Sequence, residues 1–127
     1  MTKDNAKDRI AATLGENPFG LISELRDAGL RKAKSEALAY RLEHERKSLL
    51  ARIAGEIAVA HASKNMSEAK LERMARADPR YAAHIEGTAA AIENRELANS
   101  EFWAIKTRLE WLEKSVAHEN AVMRLER

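Results

Sequence analysis

Histidine, cysteine and paired carboxylates are the residues most able to do bond-making chemistry, and in this chain their spacing does not suit it. The four histidines, His44, His61, His84 and His118, have no second histidine one helical turn away, so a zinc-protease pair is missing. Arg41, Ala58, Tyr81 and Ser115 stand three residues before them, so no Glu-x-x-His pair exists to build a di-iron bundle. There is no cysteine, which excludes thiolate zinc sites and disulfides. The five glycines never cluster into a phosphate-cradling loop. Carboxylates alternate with Lys and Arg, as they do on solvated helix faces. The expectation is a protein that is not an enzyme and holds no metal and no cofactor.

The remaining chemistry is that of cations and aromatic rings. Residues 31–64 hold eight basic against four acidic side chains, and no other part of the chain has a positive excess of that size. Within it, Lys34, Arg41 and Arg52 fall within about 20° of each other at 100° per residue. Lys47 points nearly away from the apolar face, and Arg46 falls inside it. These five residues, Lys34, Arg41, Arg46, Lys47 and Arg52, are the candidate nucleic-acid contacts, since repeated flanking cations can follow a phosphate backbone. The same pattern also fits interhelical salt bridges with the acidic last helix. Trp103 and Trp111 share their stretch with Lys106, Arg108 and Lys114, a mixture that can stack bases. Their neighbours Phe102 and Leu112 favour packing in a core or an interface instead.

These side chains need long helices to position them. The 127 residues carry 33% charged groups and only two prolines, and six aromatics exclude a thick core built on rings. Few breakers and many alanines give an all-α composition. In residues 1–30, three glycines and Asn17-Pro18 predict an N-terminal arm of two short helices, near 4–14 and 20–28, with a stop at Gly29. Residues 31–127 then read as a long helical hairpin. Its first helix, to about residue 63, carries Leu38, Leu42, Leu49, Ile53 and Ile57 in an eleven-residue repeat that Arg46 interrupts. Ser67 caps a short helix running to Ala77, and Asp78-Pro79 opens a final helix that nothing stops before the C-terminus. That helix bears a heptad line of Phe102, Ile105, Leu109, Leu112 and Val116. Between Glu93 and Glu101 the pattern turns polar, and the line must accept Arg95 or Asn99. A hairpin leaves such coiled-coil-like seams half covered, so burial of the rest, at about 25 cal/mol per Å², predicts a homo-oligomer. The seam residues named for both helices are its expected interface. The start of the chain mixes both charge signs and no window reaches the ~18 apolar residues of a membrane span. A cytoplasmic protein without membrane contact is expected.

Several of these residues also form a pattern seen elsewhere. Arg41-Leu42-Glu43, Arg46-Lys47 and Leu49-Leu50-Ala51-Arg52-Ile53 resemble the basic motif of the UvsY-like phage recombination mediators. Further matches to this loosely defined group are Glu68, Ala75, Asp78-Pro79-Arg80-Tyr81, His84-Ile85-Glu86-Gly87, Glu96 and Arg108-Leu109-Glu110-Trp111. The resemblance covers about residues 36–115. Leu50 departs from it where the motif has a second Lys, and Leu112 where many relatives have Arg. It implies helical subunits in an oligomer, with a ring as its closed form, and loading of a recombinase onto single-stranded DNA coated with single-strand-binding protein. Carried over by position, it makes Arg46, Lys47 and Arg52 phosphate contacts in the cytoplasm of a bacterial host. The alternative is a helical protein–protein interaction module, such as a phage structural adaptor or an inhibitor of a host complex, without nucleic-acid binding.

Overall fold

The computed structural model describes residues 18–126, and among them there are helices and no strands. Helix α1 is Pro18–Ala60, a 3-10 turn follows at Ala62–Lys64, α2 is Glu68–Arg76 and α3 is Pro79–Leu125. The expected all-α class is therefore found, whereas the first short helix, near 4–14, lies outside the described residues. None of the helices described is long and apolar enough to cross a membrane.

The expected stop at Gly29 does not occur. Helix α1 runs through it for 43 residues, starting with Pro18 in the first turn, where proline needs no N–H partner. A glycine costs a helix only about 1 kcal/mol relative to alanine, and here packing on both sides offsets it. Leu25 and Ala28 pack in a core cluster, and a Cβ at Gly29 would lie 3.6 Å from the Phe102 ring.

The ends of α2 and α3 follow their capping residues. The Ser67 side chain accepts the Lys70 N–H at 3.3 Å, and Glu68 in the first turn complements the helix dipole. Asp78 opens α3 by accepting the Arg80 N–H on Oδ1 at 2.8 Å, and Pro79 is the first helical residue.

The chain divides into two compact units. One is residues 34–96, where the end of α1 meets the start of α3 with the chains running in opposite directions: Arg80 pairs with Glu56 at 2.6 Å, and Arg95 lies 4.0 Å from Glu43. Its buried side chains are Ala39, Ile53, Ala75, Thr88 and Ala91. Thr88 is satisfied, its hydroxyl donating to the His84 carbonyl at 2.8 Å. The other unit joins residues 18–33 to the chain from Leu97 onward. Its core is Leu21, Ala28, Ile105 and Leu112, with Leu25, Phe102 and Leu109 packed against it.

Along α3 the buried and half-buried positions include Tyr81, His84, Thr88, Ala91, Arg95, Ala98, Phe102, Ile105, Leu109, Leu112 and Val116, at alternating steps of three and four. The line crosses the polar stretch without a change of spacing and takes both Arg95 and Ala98. In α1 the same alternation runs Leu21, Leu25, Ala28, Lys32, Ser35, Ala39 and Leu42. This corrects the eleven-residue repeat at its start, because Leu38 is 39% exposed while Ala39 is fully buried. A small side chain lets helix backbones approach closely, and that closeness outweighs the greater hydrophobicity of the leucine beside it.

Candidate nucleic-acid interface

The five cations singled out by sequence, Lys34, Arg41, Arg46, Lys47 and Arg52, are all exposed on α1. They do not form a single face. Lys34, Arg41 and Arg52 lie along one edge of the helix, and Arg46 and Lys47 lie about 120–140° around the axis from Arg41. On the first edge Arg41 faces an acidic neighbour, with Nε 3.8 Å from Glu45 Oε1.

Arg46 and Lys47 are gathered into a recess of about 340 Å³ whose other walls are Leu50, Glu72, Arg76 and Tyr81. Three elements build it. Helix α1 supplies Arg46, Lys47 and Leu50 within a little over one turn. Helix α2 supplies Glu72 and Arg76, one turn apart and ion-paired at 2.8 Å, which places Arg76 at the rim. The hydrogen bond from Arg76 to Glu72 raises its pKa and keeps the guanidinium charged at every relevant pH. Helix α3 supplies half-buried Tyr81, three residues after the Asp78 cap. With three cations and one carboxylate, the recess keeps a net positive charge. Phosphate is bound well by such a cluster because the guanidinium offers a flat pair of donors and the ammonium a point charge.

The neighbouring Arg80 is kept out of this set. Its guanidinium is shared between Asp78 (3.1 Å) and Glu56 (2.6 Å), and both hydrogen bonds raise its pKa. Arg46 also borders a second cavity, of about 430 Å³, lined by Glu43, Ile85, Thr88, Ala89 and Ile92. Arg46 therefore stands between a charged recess and a largely apolar cavity.

Arg46 occupies a position in the buried line yet is exposed, because a long side chain can bury its stem and keep its head in water. Arg76 and Tyr81 were the members that charge patterning did not mark. Arg76 belongs to a stretch of zero net charge, and only the turn through Asp78-Pro79 brings Tyr81 to it. The one available signal was the Glu72-to-Arg76 spacing, which pairs the two on a helix and fixes where the cation sits.

The seam residues named as an oligomer interface lie largely inside the chain. Ile53 and Leu112 are almost completely buried, Ile105 is buried, and Leu42, Leu49, Ile57, Phe102, Leu109 and Val116 are half-buried. The two tryptophans are not core residues: Trp103 is 49% and Trp111 54% exposed. Trp103 donates its indole N–H to Asn99 Oδ1 at 3.1 Å and carries the Lys106 ammonium 4.7 Å from its ring centre.

The histidines make helix contacts. Nδ1 of His44 and of His61 bonds the carbonyl four residues earlier at 3.0 Å, and His84 Nε2 donates to the Leu42 carbonyl at 2.8 Å. Among the described residues no group of three His, Asp or Glu side chains is placed to hold a metal ion. No protein-family model, curated protein or solved structure matches the chain.

Proposed function

We propose that this protein is a recombination mediator of the phage type, a non-catalytic homo-oligomer that binds single-stranded DNA and assists the loading of a recombinase onto it. The observation that supports this reading is the recess lined by Arg46, Lys47, Arg76, Tyr81 and Leu50, with Glu72 its one carboxylate. Cations beside an aromatic ring are what a sequence-tolerant single-strand site needs: the cations neutralise phosphates, and the ring offers a face to any base. Leu50, in place of a second lysine, adds an apolar wall to this site. Lys34, Arg41 and Arg52 lie on another edge of α1 and are not part of this recess.

Fluorescence anisotropy of a labelled single-stranded oligonucleotide, titrated at several salt concentrations, tests the reading. Affinity should fall with salt at a log–log slope of about −0.7 for each phosphate neutralised. Replacing Arg46, Lys47 and Arg76 together by Ala should flatten that slope by about 2, with helix content and oligomer mass unchanged. Tyr81→Leu should keep the slope and weaken binding about tenfold, in line with base–aromatic stacking. A salt-independent signal, or a triple variant that binds as well as the native chain, overturns the reading. The alternative, a protein–protein module without nucleic-acid binding, draws on a different observation: the exposed apolar side chains Leu97, Trp103 and Trp111 of α3.

A further inference from the structure

The exposed apolar residues of α3 are ordered. Leu97, Ala104, Trp111 and Leu125 recur at multiples of seven residues, with His118 the polar member of the series. All five are exposed, Leu97 by 62%, Trp111 by 54% and Leu125 by 87%. Seven residues turn a helix through nearly two full turns, so the series forms a line that drifts only about 20° per repeat. It lies well away from the buried line through Phe102, Ile105, Leu109 and Leu112. Helix α3 therefore has two apolar lines, and its own unit covers one of them.

A line with a seven-residue period is matched by another long helix, and the spacing of charges selects which one and in which direction. Place a second copy of α3 antiparallel to the first, with a two-fold axis at Ala104. Leu97 then faces Trp111 of the other copy, and Trp111 faces its Leu97. The small Ala104 side chains meet at the crossing point, where the helices must come closest. Arg108 of each copy comes opposite Glu101 of the other, on the same flank of the line. Glu101 is already fixed there by Arg31 at 2.6 Å, so its carboxylate is held at the edge of the stripe. A parallel pair puts the Glu101 and Arg108 flanks of the two copies on opposite sides of the line, so this pairing of opposite charges is lost.

We propose that a second copy of this chain docks on the exposed line of α3 as an antiparallel pair about Ala104, with Leu97 and Trp111 as its reciprocal anchors. This deepens the homo-oligomer part of the function proposed above and rests on that part alone. It is independent of whether the recess binds DNA. A fully buried aromatic ring removes roughly 150–250 Å² from water. Trp111 is 54% exposed, so docking removes about half of that per ring. Two rings in one small interface make it sensitive to a single substitution.

The chain has no cysteine, which gives a clean crosslinking test. Ala104→Cys places two thiols at the axis, and mild oxidation should convert most of the protein to a disulfide-linked dimer. His118→Cys lies on the same line but about 20 Å along the helix from Ala104, so its copies sit about 40 Å apart and should not link. Light-scattering mass should halve at each two-fold contact for Trp111→Glu and for Leu97→Glu, with unchanged helix content, since both side chains are exposed in the single chain. Efficient linking through His118→Cys overturns the antiparallel register. A native chain of monomeric mass, with no linking through Ala104→Cys, overturns the docking itself. Oligonucleotide binding measured on the same samples separates this outcome from the DNA reading: a dimer that ignores DNA removes only the latter.

Discussion

Asp78 ties the Arg80 side chain to a helix end. Its carboxylate accepts the Arg80 N–H and two contacts from the Arg80 guanidinium, at 2.8, 3.1 and 3.2 Å. The side-chain bond from Arg80 is the larger cause, and the backbone bond the next, of a carboxyl pKa held below its ordinary 3.8. A carboxyl depressed in the folded state stabilises the fold fully above the ordinary value, and that stabilisation disappears as pH falls through the lowered one. Asp78→Asn keeps an oxygen to cap α3 and loses the charge, so at neutral pH it should melt below the native protein. Its deficit should close as the pH falls below 3.8. Thermal melts followed by circular dichroism over that range test this, and a constant gap means that the Arg80 pair does not contribute. The sequence made the Asp-Pro cap legible, because its chemistry is local. It did not disclose that Arg80 would be held by Glu56 across the unit, and so did not separate Arg80 from Arg76.

At the scale of elements, the helices are long because little interrupts them, and two of the glycines they contain, Gly55 and Gly87, have room for a side chain. A Cβ at Gly55 or Gly87 would meet nothing within 4 Å. Both positions are exposed and inside helices, Gly55 in α1 and Gly87 in α3. Alanine there should stabilise the protein by about 1 kcal/mol each, raising the melting temperature by roughly 3–6 °C per substitution. A loss of stability at either site would show that it needs the missing Cβ. Gly29, a stop by local propensity, lies inside α1 for a related reason. Local propensity is a weak prior, and the packing of Leu25 and Ala28 with Ile105 and Leu112, more than seventy residues away in sequence, holds the helix through this point. The position of Ala39 has the same explanation: hydrophobicity alone favours Leu38, and close helix approach favours alanine.

The molecule as a whole rests on thin cores. Each compact unit has few fully buried large side chains, Ile53 in residues 34–96 and Leu112 in the other unit. Leu112→Ala and Ile53→Ala should therefore each cost about 2–5 kcal/mol. Each is a large share of the 5–15 kcal/mol typical of folded domains. Denaturant titration gives both values, and a cost below 1 kcal/mol at either site would show that its cavity collapses easily. Those two residues stand in the predicted seams, so sequence did identify the apolar lines that matter. It assigned them to contacts between copies, because a seam read from spacing carries no record of what covers it.

The sequence by itself determined the helical class, the cap-defined start of α2 and of α3, the apolar lines and the concentration of positive charge between residues 31 and 64. All of these depend on neighbours within a few turns, through helical periodicity, capping and proline chemistry. Only the tertiary structure decided which cations share a site, that α1 continues through Gly29, and which apolar line of α3 stays exposed. Each of those depends on residues far apart in the chain: Arg46 and Lys47 meet Arg76 and Tyr81 only because α2 folds back against α1. Local chemistry can be read from spacing, whereas a recess or a free face exists only once the helices have chosen their neighbours.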